Sequence, residues 1–381
     1  MKPNKLFMFI FLSLSLFLVN PVKVFANDTD KPAAITINIY DTPRAVVALD
    51  KAYLIYEIYL TSYMTTPITL TSLETLAATQ PLLKPEDFAK SIQTVNPNDK
   101  VNPFIFQPGE SKIIYMWFPF DELSKVPSQL KHVFRFTTES DGENYKLFYP
   151  VQEVNKTPPL IVGPPLRGSN WVAGNGLSNG SAHRRAVNYF NGRPYFAERY
   201  AIDFVQMDAE GSTFTGDENK NSSYYAYNQD LLAVAKGKVV LVKDGIPENI
   251  PHSGKLAEPL TLNNIGGNFI ILDLGNGKFA SYAHLIPGSL KVKVGDFVNP
   301  GQVMAKLGNS GNSSEPHLHF HIGDKPSMLV TNGIPYGFDQ FKLKATQRVD
   351  NQVQFLKTPA LNYLNQLPLE DSVIDFDGNL K

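Results

Sequence analysis

Four of the seven histidines fall between residues 284 and 321, and three of these alternate with apolar residues in the run His317-Leu318-His319-Phe320-His321-Ile322. A period of two is typical of a half-buried strand, so the three imidazoles should point to one face. Each buried imidazole needs a partner for each ring nitrogen, which makes three neighbours hard to satisfy in an apolar core. A metal with a proton-transfer histidine beside it is the economical solution. We therefore expect a metal site.

Strands must position these histidines, because helix-period segments are scarce and 28 prolines and 26 glycines punctuate the chain. The fold class is therefore predicted to be mainly β. The expected core strands around the histidines are 231–242, 268–273, 279–285 and 318–322.

Short strand-like segments also fill the N-terminal part, and several of them alternate between apolar and polar residues. We interpret this part as a β-sandwich-like domain, which could dock on the groove of the second domain. His132 is its one histidine, and we expect a structural role for it. The strand-like segments are 34–40, 52–63, 112–118, 132–138 and 145–154.

The domain boundaries follow from length and composition. A mature chain of about 355 residues is longer than one core usually organises, which predicts two domains. The predicted divisions are a signal peptide (1–26), the N-terminal sandwich (27–156), a proline-rich linker (157–165), a second domain with six of the seven histidines (166–343) and a C-terminal extension (344–381).

The first residues predict export. Lys2 and Lys5 precede the apolar stretch 6–19, and small residues follow near Ala26, a pattern typical of a secretory signal peptide. The stretch is shorter than the ~20 residues that span a bilayer, so no integral membrane segment is expected after cleavage. A periplasmic or extracellular location follows.

Composition excludes several classes of partner and scaffold. Removal of residues 1–26 leaves 32 basic against 36 acidic side chains, which gives no electrostatic argument for binding nucleic acid or an anionic membrane. The chain has no cysteine, so neither disulfides nor lipid attachment through cysteine is expected, and burial alone must stabilise the fold.

Six motifs lie in and just before the histidine-rich part of the chain, over roughly residues 195–325. They are Tyr200-Ala201-Ile202-Asp203-Phe204, the Gly267–Gly277 run, Tyr282-Ala283-His284-Leu285, Val294–Val298 with Gly301-Gln302, Leu307–Ser313 and Pro316–Phe320. Taken as a set, these motifs resemble the lysostaphin/LytM-type zinc endopeptidases of peptidase family M23. The resemblance implies a LytM-type antiparallel β catalytic domain that acts on peptides of bacterial peptidoglycan.

The resemblance also implies roles for individual residues. Asp203 and His319 would bind one Zn²⁺, while His284 and His317 would handle protons and transition-state charge. Zinc with three protein ligands keeps a fourth position for water and lowers the pKa of that water toward ~7. His321 is predicted to line the groove or to support a ligand rather than to bind the metal.

The chain departs from the family pattern at one ligand. The family's first histidine ligand precedes the aspartate by four residues, where this chain has Arg199, and a guanidinium has no lone pair to donate. Either another side chain fills the position or the domain has lost its metal. We expect His183 to complete the set with Asp203 and His319, and Arg199 to pair with a carboxylate or to meet a carboxylate of the substrate.

Two further segments are interpreted without a catalytic role. The acidic stretch 208–228 lacks the ligand spacing of a calcium-binding EF-hand loop, so a groove-wall loop is expected. The segment 308–313 is not followed by the Gly-Lys-Ser/Thr of a phosphate loop, and it is predicted to be a turn that shapes the site.

Three functions are compatible with these patterns. The first is a secreted zinc endopeptidase that hydrolyses cross-links or stem peptides of peptidoglycan. The alternative is a metal-free LytM-like domain that binds cell wall or activates another wall hydrolase. An adhesin or interaction module dominated by the N-terminal sandwich has the least support in the sequence.

Overall fold

The computed structural model describes residues 32–83, 91–94, 102–349, 352–355 and 360–376. The predicted signal peptide lies outside the described residues. Within these ranges, no helix has the length and apolar character needed to cross a bilayer.

The N-terminal region (residues 32–156) forms two five-stranded antiparallel sheets. The first has the order β1-β3-β8-β6 with β2 on β3, and the second has the order β10-β9-β4-β5 with β7 on β4. The strands are β1 (Ile35–Asn38), β2 (Arg44–Ala48), β3 (Lys51–Ser62), β4 (Ile68–Ala77), β5 (Gln80–Leu83), β6 (Ile92–Thr94), β7 (Ile105–Phe106), β8 (Ser111–Phe120), β9 (Gln129–Thr138) and β10 (Asn144–Glu153).

The two faces of β3 belong to different cores. Leu54, Ile58 and Leu60 pack with β4 and β9 residues in the core between the two N-terminal sheets. Tyr53 and Ile55, on the opposite face of the strand, instead join the core of the C-terminal region. Because side chains alternate along a strand, the long apolar run of β3 is explained by burial on both faces.

The C-terminal region (residues 157–376) is built around one twelve-stranded sheet with the path β11-β23-β26-β12-β15-β22-β19-β18-β17-β20, and with β24 and β25 on β23. Its strands are β11 (Leu160–Val162), β12 (Gly168–Gly174), β13 (Asn188–Phe190), β14 (Arg193–Tyr195), β15 (Ile202–Gln206), β16 (Asp230–Leu232), β17 (Gly237–Lys243), β18 (Asn268–Asp273), β19 (Phe279–Leu285), β20 (Phe297–Val298), β21 (Val303–Lys306), β22 (Leu318–Gly323), β23 (Tyr336–Val349), β24 (Gln352–Phe355), β25 (Leu361–Gln366) and β26 (Val373–Phe376).

Helical structure is sparse among the described residues. One α-helix, α1 (Ala182–Arg185), and the 3₁₀ turns Leu123–Lys125 and Asn221–Ser223 have bounds in the structure. The predicted mainly-β class, with antiparallel sheets in both regions, is confirmed.

The segments on either side of the predicted catalytic domain add strands to its sheet. β11 lies within the predicted linker and pairs in parallel with β23, while β26 lies in the predicted C-terminal extension and pairs with β12. The division of the chain at the predicted boundaries stays a prediction.

Candidate metal centre

The alternation at residues 317–322 is that of a strand with two different faces. Leu318, Phe320 and Ile322 are fully buried in the core of the C-terminal region. His319 and His321 lie on the opposite face, where Nε2 of His319 is 3.0 Å from Nδ1 of His321. The strand geometry thus directs imidazoles away from the core, as the period of two predicts.

Strand register brings Asp203 beside His319. β15 pairs antiparallel with β22, and Asp203 lies directly opposite His319 in that pairing. The Oδ1 atom of Asp203 is 3.0 Å from Nδ1 of His319. Two residues that are far apart in sequence therefore present an oxygen and a nitrogen to the same point.

His183 reaches the same aspartate from α1. Ser181 caps this short helix, its Oγ accepting a hydrogen bond from the backbone N–H of Arg184. The Nε2 atom of His183 is 3.2 Å from Oδ2 of Asp203. One donor atom each from His183, Asp203 and His319 lie within 4.8 Å of one another, which is a spacing that could hold a metal ion.

Two further histidines flank this group. His317 places Nε2 3.5 Å from Oδ1 of Asp203, and the ring centroids of His284 and His317 are 4.6 Å apart. Nδ1 of His284 is 2.8 Å from the carbonyl oxygen of Ser310, and Nδ1 of His317 is 2.8 Å from that of Glu315. Since a carbonyl only accepts, each Nδ1 donates, so either ring, when it is neutral, has its lone pair on Nε2.

The backbone at His284 is held in an uncommon conformation. His284 has φ +65°, in the left-handed region that a non-glycine residue seldom adopts. Its backbone N–H donates to the carbonyl of Gly266, and a Cβ on the neighbouring Gly267 would lie 2.4 Å from Ser310. Segment 308–313 therefore shapes the site through Ser310, as predicted.

The charges of the cluster are coupled. Burial alone would raise the pKa of Asp203, but the positive charges of His183 and His317 hold it well below its usual range. Burial would lower the pKa of His183, but the Asp203 carboxylate raises it to about 9. Burial and the charges of His317 and His319 hold the pKa of His284 well below its usual value.

The group opens into a pocket of about 370 Å³. His183, Asp203, His284, His317 and His319 all contribute to its lining. Its other described lining residues lie between Asn175 and Leu329, so none of them comes from the N-terminal region. Docking of the N-terminal sandwich on this groove stays a prediction.

Arg199 does not contribute to this pocket lining. Its guanidinium Nη2 lies 2.6 Å from Oε2 of Glu57 on β3 and 2.9 Å from Oδ2 of Asp41. The ion-pair alternative predicted for Arg199 is confirmed. Arg199, at the position predicted to lack a metal ligand, thus contacts the N-terminal region instead.

Three residues near the site were missed by sequence reasoning. Asn175 donates its amide to Oδ2 of Asp203 at 2.9 Å, and its only sequence signal was the turn-forming Asn175-Gly176 pair. Glu198 places Oε1 4.0 Å from Nε2 of His319. Glu57 could have been noticed as the one acidic residue in the apolar run of β3.

Carboxylates of the acidic stretch 208–228 accept hydrogen bonds from backbone N–H groups of the same stretch. Oδ1 of Asp208 accepts from the N–H groups of Glu210 and Ser212, and Oδ1 of Asp217 accepts from that of Asn219. Among the described residues, the cluster of potential metal ligands is the one at Asp203 and not this loop.

Known proteins resemble the part of the chain that contains His284, His317 and His319. Residues 223–329 match the profile of peptidase family M23, a match that includes His284, His317 and His319 but begins after His183 and Asp203. Lysostaphin of Staphylococcus staphylolyticus is 42% identical over 77 residues, which are 20% of this chain and 16% of that protein.

Two other relatives match longer segments. Glycyl-glycine endopeptidase ALE-1 of Staphylococcus capitis is 40% identical over 122 residues, 31% of this chain and 33% of that protein. Peptidoglycan DD-endopeptidase ShyC of Vibrio cholerae is 23% identical over 184 residues, 48% of this chain and 40% of that protein. The chain thus spans less than half the length of these curated relatives.

Proposed function

We propose that this chain, which carries a domain of peptidase family M23, is a zinc-dependent endopeptidase that hydrolyses peptide bonds of bacterial peptidoglycan. The observation that carries the proposal is the convergence of His183, Asp203 and His319 in an open pocket that also contains two further histidines. The matches to cell-wall endopeptidases support the reaction class.

The residues present fit zinc. Two imidazole nitrogens and one carboxylate oxygen form a donor set that Zn²⁺ commonly accepts in catalytic sites, and the three donors lie within 4.8 Å of one another. His319 offers Nδ1, while its Nε2 is occupied by His321, in the way that outer partners orient metal-binding imidazoles. When bound, the ion would polarise the scissile carbonyl and lower the pKa of a bound water.

His284 and His317 have a different task in this proposal. Both rings are fixed at Nδ1 by backbone carbonyls, so their Nε2 atoms are the ones free to exchange protons with water or substrate. One of them takes a proton and the other stabilises the developing oxyanion, a contribution of charge placed where it forms in the transition state. Neither is needed as a ligand, because the other three donors suffice.

The substrate and location belong to the same proposal. Relatives that are named for activity on glycyl-glycine bonds and on peptidoglycan support a cell-wall peptide as substrate. The pattern at residues 1–26 supports export, so we place the enzyme in the periplasm or outside the cell.

Turnover of purified peptidoglycan tests the proposal. The chain should release soluble peptides, lose this activity after zinc is removed with a chelator, and regain it with one equivalent of Zn²⁺. A chain that sediments with peptidoglycan but releases no peptides, with or without added zinc, would contradict the enzyme and support a metal-free binding domain instead.

A further inference from the structure

Glu57 is a buried carboxylate at the junction between the two regions. It lies on β3, is 6% exposed, and faces away from the core between the N-terminal sheets because its neighbour Ile58 faces into that core. Glu57 therefore lies between the N-terminal and C-terminal regions and belongs to neither hydrophobic core.

Two arginines of the C-terminal region share this carboxylate. Arg184 pairs with Oε1 of Glu57 through Nη1 and donates through Nη2 to the carbonyl of Tyr56 at 3.1 Å. Arg199 donates through Nε to Oε1 at 2.9 Å and through Nη2 to Oε2 at 2.6 Å. Both guanidiniums are nearly inaccessible to solvent, so without Glu57 the charge of Arg184 would lose its carboxylate partner, and Arg199 would keep only Asp41.

The two arginines adjoin two of the proposed metal ligands. Arg184 directly follows His183 in α1, and Arg199 precedes Asp203 by four residues. A helix of four residues has little stability of its own, so the place of α1 depends on tertiary contacts.

A second contact from the N-terminal region holds the same helix. The hydroxyl of Tyr115 on β8 donates to the carbonyl of Arg185 at 3.2 Å. The guanidinium of Arg184 lies over the Tyr115 ring at 4.8 Å, and that of Arg185 at 4.3 Å. The N-terminal sheet therefore holds α1 through Tyr115 as well as through Glu57.

We infer that Glu57 is a positioning residue of the metal centre, which fixes His183 through Arg184 and the Asp203 segment through Arg199. This inference rests on the proposed zinc site and extends it, because it gives the N-terminal sandwich a role in holding the metal ligands in position. Arg199 then has a reason to replace the family's histidine, because it anchors the sandwich while His183 takes over as ligand.

The test compares Glu57→Gln with a matched control in the same strand. The substituted amide would keep the shape of the side chain but lose its charge. The expected result is a zinc Kd roughly 10–100-fold higher, the usual effect of changing a residue that orients metal ligands. The control is Ile58→Ala, which weakens the N-terminal core on the other face of β3 and should leave the zinc Kd unchanged. Zinc affinity is measured by competition with a chromophoric chelator.

A second readout needs no metal. In the zinc-free protein, hydrogen exchange at the backbone amides of Arg184, Arg185 and Ala186, which bond within the α1 turn, should accelerate in Glu57→Gln but not in Ile58→Ala. If the wild-type chain binds no zinc, the proposed function fails, whereas the exchange data still decide whether Glu57 positions α1.

Unchanged zinc affinity together with unchanged exchange in α1 would overturn the inference. Should Glu57→Gln fail to fold, Arg184→Met tests the same contact from the helix, because Glu57 keeps its pair with Arg199. The expected result for Arg184→Met is the same loss of zinc affinity and the same acceleration of exchange.

Discussion

Two carboxylates, the buried Glu57 and the partly buried Asp203, organise two regions of this molecule in similar electrostatic ways. Burial alone would raise both pKa values, and in both cases neighbouring cations lower them. The cations around Glu57 are the guanidiniums of Arg184 and Arg199, whereas those around Asp203 are the imidazoles of His183 and His317.

The difference in partner decides what each cluster can do. A guanidinium stays protonated and offers no lone pair, so the Glu57 cluster can only hold segments together. An imidazole can lose its proton and present a nitrogen lone pair, so the Asp203 cluster can bind a metal or transfer protons. His183 and Arg184, adjacent in α1, belong to one cluster each.

The largest predicted effect comes from removal of each carboxylate. Asp203→Ala should abolish zinc binding and peptidoglycan hydrolysis, and it should lower the folding stability less than Glu57→Ala does, because the histidines around Asp203 can deprotonate. Glu57→Ala leaves the guanidinium of Arg184, which cannot deprotonate, buried without its carboxylate, while Arg199 keeps Asp41; it should lower the free energy of unfolding by about 3–5 kcal/mol. Zinc content and urea denaturation of both variants give the answer. Zinc retained in Asp203→Ala, or wild-type stability in Glu57→Ala, would contradict the roles assigned to the two carboxylates.

The next effect separates chemistry from coordination. His284→Ala and His317→Ala should each keep zinc near the wild-type content but lower the hydrolysis rate by ~10²–10⁴-fold, the usual loss for a proton-transfer group. His252→Ala is the matched control, because this side chain is 49% exposed and lies outside the described pocket lining. Loss of zinc along with activity in His317→Ala would mean that His317, rather than His319, is the ligand.

The smallest predicted effect concerns His132, a buried histidine whose ring nitrogens have no carboxylate neighbour among the described residues. Burial lowers the pKa of His132 to about 3, and the neighbours of its ring nitrogens are the hydroxyls of Thr75 and Tyr56. The unfolded chain therefore binds a proton at higher pH than the folded one, and the stability that neutral His132 contributes is complete above ~6.5 and declines as the pH falls toward 3.

Denaturation at two pH values measures this effect. Between about pH 7 and pH 5, wild type should lose about 2 kcal/mol more of its unfolding free energy than His132→Gln does. Equal losses in the two proteins would show that His132 is protonated in the folded state, and the contrast with the Asp203 histidines would disappear.

The local features of the metal centre could be predicted from the sequence. Alternation at residues 317–322 predicted a strand with histidines on one face, and the structure has β22 there with an apolar face in the core. His183 was the expected third donor, and the structure brings it to Asp203. These features depend on periodicity and on short connections, which a sequence displays directly.

The long-range part could not be read in the same way. The contact of Asn175 with Asp203 depends on the pairing of β12 with β15, and that of Glu57 with Arg199 joins residues of different regions. Even the burial of β3 on both faces was visible only as an apolar run, without its partner. Such contacts follow from tertiary packing, which no local pattern encodes.

Zinc content of the wild-type chain and of His183→Ala tests the central claim most directly. The account predicts about one zinc ion per chain in wild type, by elemental analysis after removal of loosely bound metal, and almost none in His183→Ala. Stoichiometric zinc in His183→Ala would contradict this account. It would mean that His183 does not replace the histidine ligand that is missing at Arg199, and that another donor, or none, takes its place.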